Sequence, residues 1–200
     1  MSRVWRNLGL CALLLCSAHA ATACRSERAA LVARGDRQLA AGQAEAARAS
    51  YEAALAGGPD VRAERGLGLS LVALGRWDEA YPRLARYTAK QPNDGAARLG
   101  LVSALIARQR LDEARKEVRM LTAKDPDLLP GLLLLGALAE DARAQSEALG
   151  RLEAWGRRNG RTPPELTQCR GALRGELRSK ARQPAPKRLN LFQPCWRSVP

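Results

Sequence analysis

Gly68-Leu-Ser-Leu-Val-Ala-Leu-Gly75-Arg-Trp-Asp-Glu-Ala80-Tyr-Pro-Arg-Leu84-Ala-Arg-Tyr87-Thr-Ala-Lys-Gln-Pro92 has a counterpart on either side of it. At an interval of 33 residues upstream, Gly35, Gly42, Ala47, Tyr51, Ala54 and Pro59 stand in the places of Gly68, Gly75, Ala80, Leu84, Tyr87 and Pro92. A looser copy follows with Leu101, Ala114, Val118 and Pro126, and a fourth keeps Gly136, Ala148 and Leu152 without a closing proline. Self-similarity at 33 to 34 residues marks a solenoid of helix pairs, each of which buries its apolar faces only against its neighbours. The expected class is therefore all-α, a solenoid of antiparallel helix pairs. Folds of this kind usually bind other chains rather than transform substrates.

Each copy reads as two amphipathic helices with a short break. Ala29, Leu31, Val32, Leu39 and Ala40 fall near helical spacing before Ala41-Gly42 ends the turn. A second helix is predicted from about Ala44 through Tyr51, Ala54 and Leu55, stopping at Gly57-Gly58-Pro59. Either glycine can take the left-handed backbone there, and the proline cannot continue the helix. Further pairs are predicted at 61–74 and 77–90, at 95–108 and 111–124, and at 128–141 and 145–157. Asp78-Glu79 and Asp112-Glu113 open second helices, where carboxylates favour the positive end of the helix dipole. Pro82 lies about one turn into its helix and should cost a hydrogen bond or a mild kink. No stretch has the alternation and β-branched enrichment of a strand, so no sheet is expected.

The ends of the chain differ from its body. Arg3 and Arg6 precede the apolar run from Leu8 to Cys16, and small residues follow from Ser17 to Ala23. Residues 1–23 thus read as a secretory signal peptide; the apolar run is too short for a bilayer core of ~30 Å. Residues 24–160 form the repeat region of about four helix pairs. Beyond Gly160, Pro163-Pro164-Glu165 opens a helix with Leu166, Cys169, Leu173 and Leu177 on one face. Residues 161–182 are expected to be a capping helix over the last apolar edge. Residues 183–200 form a basic, Pro-rich tail with Leu191, Phe192 and Trp196 as docking points.

The net charge of +13 is concentrated at that end. Residues 24–160 hold 22 basic and 18 acidic side chains, and residues 161–200 hold nine and two. If the protein is exported, nucleic acid is not an expected partner. An anionic membrane or envelope surface is, because a basic tail is attracted to negative lipid or polymer. The bland alternative is a solvated tail with no dedicated partner.

Leu67-Gly68 with Leu71, then Ala80 and Leu84, with Gly35 and Gly136 at the first-helix contact and Ala47, Ala114 and Ala148 at the second, make residues 28–158 resemble tetratricopeptide-repeat proteins. The family pattern is a unit of ~34 residues with Leu-Gly and Tyr in the first helix, Ala and Phe in the second, and a closing Pro. The sequence departs from it at Leu71, where Tyr is usual, and lacks the family's Trp in all four first helices. The resemblance implies a right-handed superhelix whose first helices line a concave groove for a partner segment. That groove would include Val32, Asp36 and Leu39, then Arg62, Arg65, Leu69 and Val72. Leu99, Ser103 and Ile106 would continue it, followed by Leu133, Ala137 and Glu140. Some members clamp a C-terminal carboxylate with Lys and Asn, but here Arg62 and Arg65 are the only clustered cations and no Asn accompanies them. An apolar groove fits a hydrophobic peptide or amphipathic helix better, although any one of these aliphatics can equally be core.

Catalytic chemistry has little to work with. The only histidine, His19, lies in the segment expected to be removed, so no His-based acid–base pair, triad or metal ligand is available. Gly66-Leu-Gly68 is a helix-packing fragment without the rest of a dinucleotide or phosphate loop. No cofactor, no metal and no enzymatic activity are expected. The reading is a protein–protein interaction adaptor or assembly factor of a bacterial cell envelope, periplasmic or membrane-anchored. The alternative is an anionic-surface binder that works through its tail.

Cysteine parity refines the export reading. Cys11 and Cys16 would leave with the signal, so Cys24, Cys169 and Cys195 remain, and one thiol of three is left to explain. Ala21-Thr22-Ala23-Cys24 resembles a bacterial lipoprotein cleavage site with Ala21 where Leu is commonest. Ordinary cleavage after Ala20 is the other option. Lipidation of Cys24 would leave Cys169 and Cys195 to form a disulfide.

Overall fold

The computed structural model describes residues 25–160. The signal peptide at 1–23, the lipidation site at Cys24, the capping helix at 161–182, the tail at 183–200 and the Cys169–Cys195 bridge all lie outside the described residues. Within them the chain is all helical and forms solenoid-type helix pairs. The helices are α1 (25–40), α2 (Ala44–Ala56), α3 (Val61–Ala73), α4 (Trp77–Lys90), α5 (Gly95–Ala107), α6 (Leu111–Lys124), α7 (Leu129–Ala137) and α8 (Ala142–Asn159). Residues up to Tyr87 make one compact unit and residues from Thr88 a second.

In the first unit the core is built by exchanging large and small side chains between helices. Tyr51 of α2 is 1% exposed, and its ring fills the space left by two glycines. A Cβ on Gly35 would come within 2.7 Å of it, and one on Gly66 within 2.2 Å. On α4, Leu84 does the same against Gly68, where a Cβ would lie 2.7 Å from Leu84 Cδ2. Close-packed interiors leave no room for the extra methyl. Gly42 and Gly75, with φ of 73° and 72°, make the turns into α2 and α4, a backbone that suits glycine. Asp60 starts α3 by accepting from the amides of Arg62 and Ala63, the usual service of a helix-capping carboxylate. At the end of α2 only Gly58, not Gly57, has a positive φ, and the Arg28 guanidinium donates to the Gly57 carbonyl.

The second unit repeats the scheme with different volumes. Gln109, at φ 60°, occupies the turn position of Gly42 and Gly75. Counting back from that turn, Val102 rather than Leu101 takes the place of Gly35 and Gly68, and it is fully buried. The matching second-helix residue shrinks to Val118, so a larger first-helix side chain goes with a smaller one opposite in register. Asp94 caps α5 through the Ala97 amide. Arg98, nearly buried, is held by Glu117 and by the Pro92 carbonyl at 3.0 Å. Ala47, Ala80, Ala114 and Ala148 are each 0% exposed, which marks the close second-helix contact in every pair.

The fourth pair departs from the predicted boundaries of 128–141 and 145–157. Its first helix stops at Ala137, and α8 begins at Ala142 and runs to Asn159. Asp141 is the cause: its carboxylate accepts from the Ala144 amide and starts the helix early. Pro82 sits inside α4, which runs on past it.

Candidate functional site

Two first helices carry the same stripe one repeat apart. On α3, Arg65, Leu69 and Val72 are half-buried, and on α5 Leu99, Ser103 and Ile106 are half-buried at the equivalent positions. The i, i+4, i+7 spacing sets each trio on one side of its helix. Ser103 donates its hydroxyl to the Leu99 carbonyl at 3.1 Å, so the α5 stripe offers an apolar surface with its one hydroxyl already engaged.

The equivalent positions in the outer repeats behave differently. Val32 and Leu133 are 1% and 2% exposed, and Ala137 is fully buried. They pack inside their helix pairs and line no groove, which corrects the sequence expectation. Glu140 lies beyond the end of α7, exposed, with its carboxylate 3.1 Å from Arg115. On α1, Leu39 is half-buried and Asp36 exposed.

Asp36 anchors a small polar network at the edge of the α3 stripe. The Tyr51 hydroxyl donates to Asp36 Oδ1 at 2.8 Å, and Arg62 Nη2 donates to Asp36 Oδ2 at 2.8 Å. Burial of the ring, then the hydrogen bond and negative charge of Asp36, push the Tyr51 phenol well above its ordinary value. It therefore stays a hydrogen-bond donor and holds the carboxylate in place for Arg62. Sequence reading placed Asp36 and Arg62 on the same face; it did not foresee that a core tyrosine joins them.

A second concavity was missed. Between α6, α7 and α8 lies a cleft of about 220 Å³, floored by Val118, Leu135, Leu138 and Ala139 and rimmed by Arg115, Arg119, Glu147 and Arg151. The i, i+4 pairs Arg115/Arg119 and Glu147/Arg151 are visible in the sequence. The early end of α7, which brings Leu138 and Ala139 to the cleft, is not.

Among the described residues no cluster of His, Cys, Asp or Glu is placed to hold a metal ion. No described helix is long and apolar enough to cross a membrane.

Comparison with known proteins gives this geometry a family context. Two family models, both described as tetratricopeptide repeat, match residues 32–80 and 71–138. No curated protein sequence matches the chain. Among solved structures it is similar to YrrB, described as a tetratricopeptide-repeat protein with an unusual peptide-binding site. That match has 25% identity over 66% of this chain and 69% of the other, with a TM-score of 0.55. It is also similar to a thermophilic tetratricopeptide-repeat protein of Thermus thermophilus, TTC0263. There the identity is 18%, the coverage 86% and 91%, and the TM-score 0.60. A Thermobaculum terrenum O-GlcNAc transferase matches with 20% identity and a TM-score of 0.59, but over 68% of this chain and only 26% of the transferase. Tetratricopeptide repeats generally mediate protein–protein interactions and are typically non-catalytic scaffolds. The chain carries tetratricopeptide repeats, and residues 32–138 are where they lie.

Proposed function

We propose that the protein is a non-enzymatic adaptor or assembly factor that holds an apolar segment of a partner protein on its first helices. The observation that carries this reading is the repeated half-buried stripe, Leu69 and Val72 on α3 and Leu99 and Ile106 on α5. Half-buried aliphatics one repeat apart leave apolar area for a partner to cover, at ~25 cal/mol per Å² removed from water. Arg62, fixed by Asp36, adds a charge at the edge that can orient the bound segment. The peptide-binding site in the description of YrrB supports the same reading.

The cellular setting in this reading rests on the sequence ends. Signal-like residues 1–23, the lipoprotein-like Ala21-Thr22-Ala23-Cys24 and the remaining pair Cys169 and Cys195 fit an envelope protein, periplasmic or lipid-anchored. Mass spectrometry of the mature chain tests this. An acylated Cys24 at the N-terminus and a Cys169–Cys195 disulfide are expected. An unmodified N-terminus at Ala21 refutes the anchor, and free thiols at Cys169 and Cys195 refute the bridge.

The second reading, attachment to an anionic surface through the tail, rests on the nine basic and two acidic residues of 161–200. Salt separates the two. Partner retention through the aliphatic stripes should persist from low to high ionic strength, whereas tail-driven attachment should fall steeply.

A further inference from the structure

The cleft between α6, α7 and α8 does not belong to the first-helix stripes. Its rim comes from the second helices of two successive pairs, with the last residues of the fourth pair's first helix and the following turn closing one side. Its volume of about 220 Å³ is below the ~300–1,000 Å³ of ordinary small-molecule sites. That size suits one or two side chains of an extended segment better than a cofactor.

The charges around it are unequally committed. Arg115 donates from Nε to the Leu138 carbonyl at 2.9 Å and pairs with Glu140 at 3.1 Å and with Asp112. Arg151 gives one Nη2 hydrogen to the Thr122 carbonyl at 3.2 Å and keeps its charge. Arg119 and Glu147 make no ion pair among the described residues. With Arg115 matched, Arg119 and Arg151 face a single carboxylate, Glu147, across an apolar floor of Val118, Leu135, Leu138 and Ala139. The excess is one positive charge beside an apolar surface. The chain's own C-terminal residues, nine basic against two acidic, have the wrong sign for it.

We propose that this cleft is a second docking site, for a partner peptide segment that combines one aliphatic side chain with a flanking carboxylate. The side chain would cover the Leu135–Leu138 floor, and the carboxylate would pair with Arg119 and Arg151. The site works independently of the stripes on α3 and α5, so the failure of either reading leaves the other standing.

Two synthetic peptides test it on the full chain: acetyl-Gly-Glu-Leu-Glu-Gly-amide and acetyl-Gly-Lys-Leu-Lys-Gly-amide, each titrated into ¹⁵N-labelled protein. The acidic peptide should shift the amides of Ala123, Ala139 and Ala144, and the basic one should not. Arg119→Glu is an exposed substitution that leaves the spectrum of the fold intact, and it should weaken the acidic peptide at least about tenfold. Replacing the peptide's leucine by glycine should abolish the shifts. Three outcomes overturn the proposal: no shift with the acidic peptide, equal response to both peptides, or unchanged affinity in Arg119→Glu. Shifts of these amides by phosphatidylglycerol vesicles but not by the peptide would also overturn it, in favour of a lipid.

Discussion

Gly66 lies against the ring of Tyr51 so closely that a β-carbon on it would sit 2.2 Å from Cζ. The repeat places a tyrosine in this second helix only where two glycines, Gly35 and Gly66, receive it. Side-chain volume is therefore matched between helices and not set position by position.

Gly66→Ala should destabilise the protein by about 1–3 kcal/mol through overpacking, measured by urea denaturation. Tyr51→Leu, which copies the Leu84–Gly68 contact, should recover part of that loss when combined with Gly66→Ala. An additive double variant would show that the ring is not what the alanine meets.

Tyr51 also gives the fold a dependence on high pH. The folded state holds its phenolic proton more tightly than the unfolded chain does, because of burial and the Asp36 hydrogen bond. Its contribution is complete below the ordinary tyrosine value of ~10. Above that it falls by up to ~1.4 kcal/mol per pH unit. Unfolding free energies of the native chain and Tyr51→Phe, compared from neutral pH upward, should converge as the pH rises past ~10, by about that slope. Parallel curves would contradict the assignment.

Gln109 adopts φ 60° where the two preceding repeats use glycine. A non-glycine residue in the left-handed region costs roughly 1–2 kcal/mol, partly offset by the greater freedom glycine loses on folding. Gln109→Gly should stabilise the fold by about 0.5–1 kcal/mol, and Gly75→Ala should destabilise it by a similar amount. A destabilised Gln109→Gly would mean that the glutamine makes a contact worth more than the strain.

Much of this architecture was legible because proline, glycine and alanine punctuate it at a fixed interval. The predicted 77–90 and 111–124 coincide with α4 and α6, since a turn residue fixes each start and a helix stop each end. The fourth pair was misread because the turn position of Gly42, Gly75 and Gln109 falls at Arg143, inside α8. There the Asp141 cap, a three-dimensional hydrogen bond, decides the boundary. The candidate surface was legible in part. Periodicity found the inward-leaning positions of all four first helices, but it cannot tell a half-buried Leu69 from a buried Leu133. That distinction depends on what the neighbouring helices cover. The cleft at Arg119 joins three helices and had no local signal.

The adaptor reading rests most directly on whether the α3 and α5 stripes hold the partner. Leu69→Glu and Leu99→Glu place a charge in each half-buried stripe, and crosslinked partner capture from the native envelope measures the consequence beside circular dichroism. The account predicts loss of capture in both variants with the helical spectrum and melting transition retained. Undiminished capture by folded variants, or unfolding of the variants themselves, would contradict it.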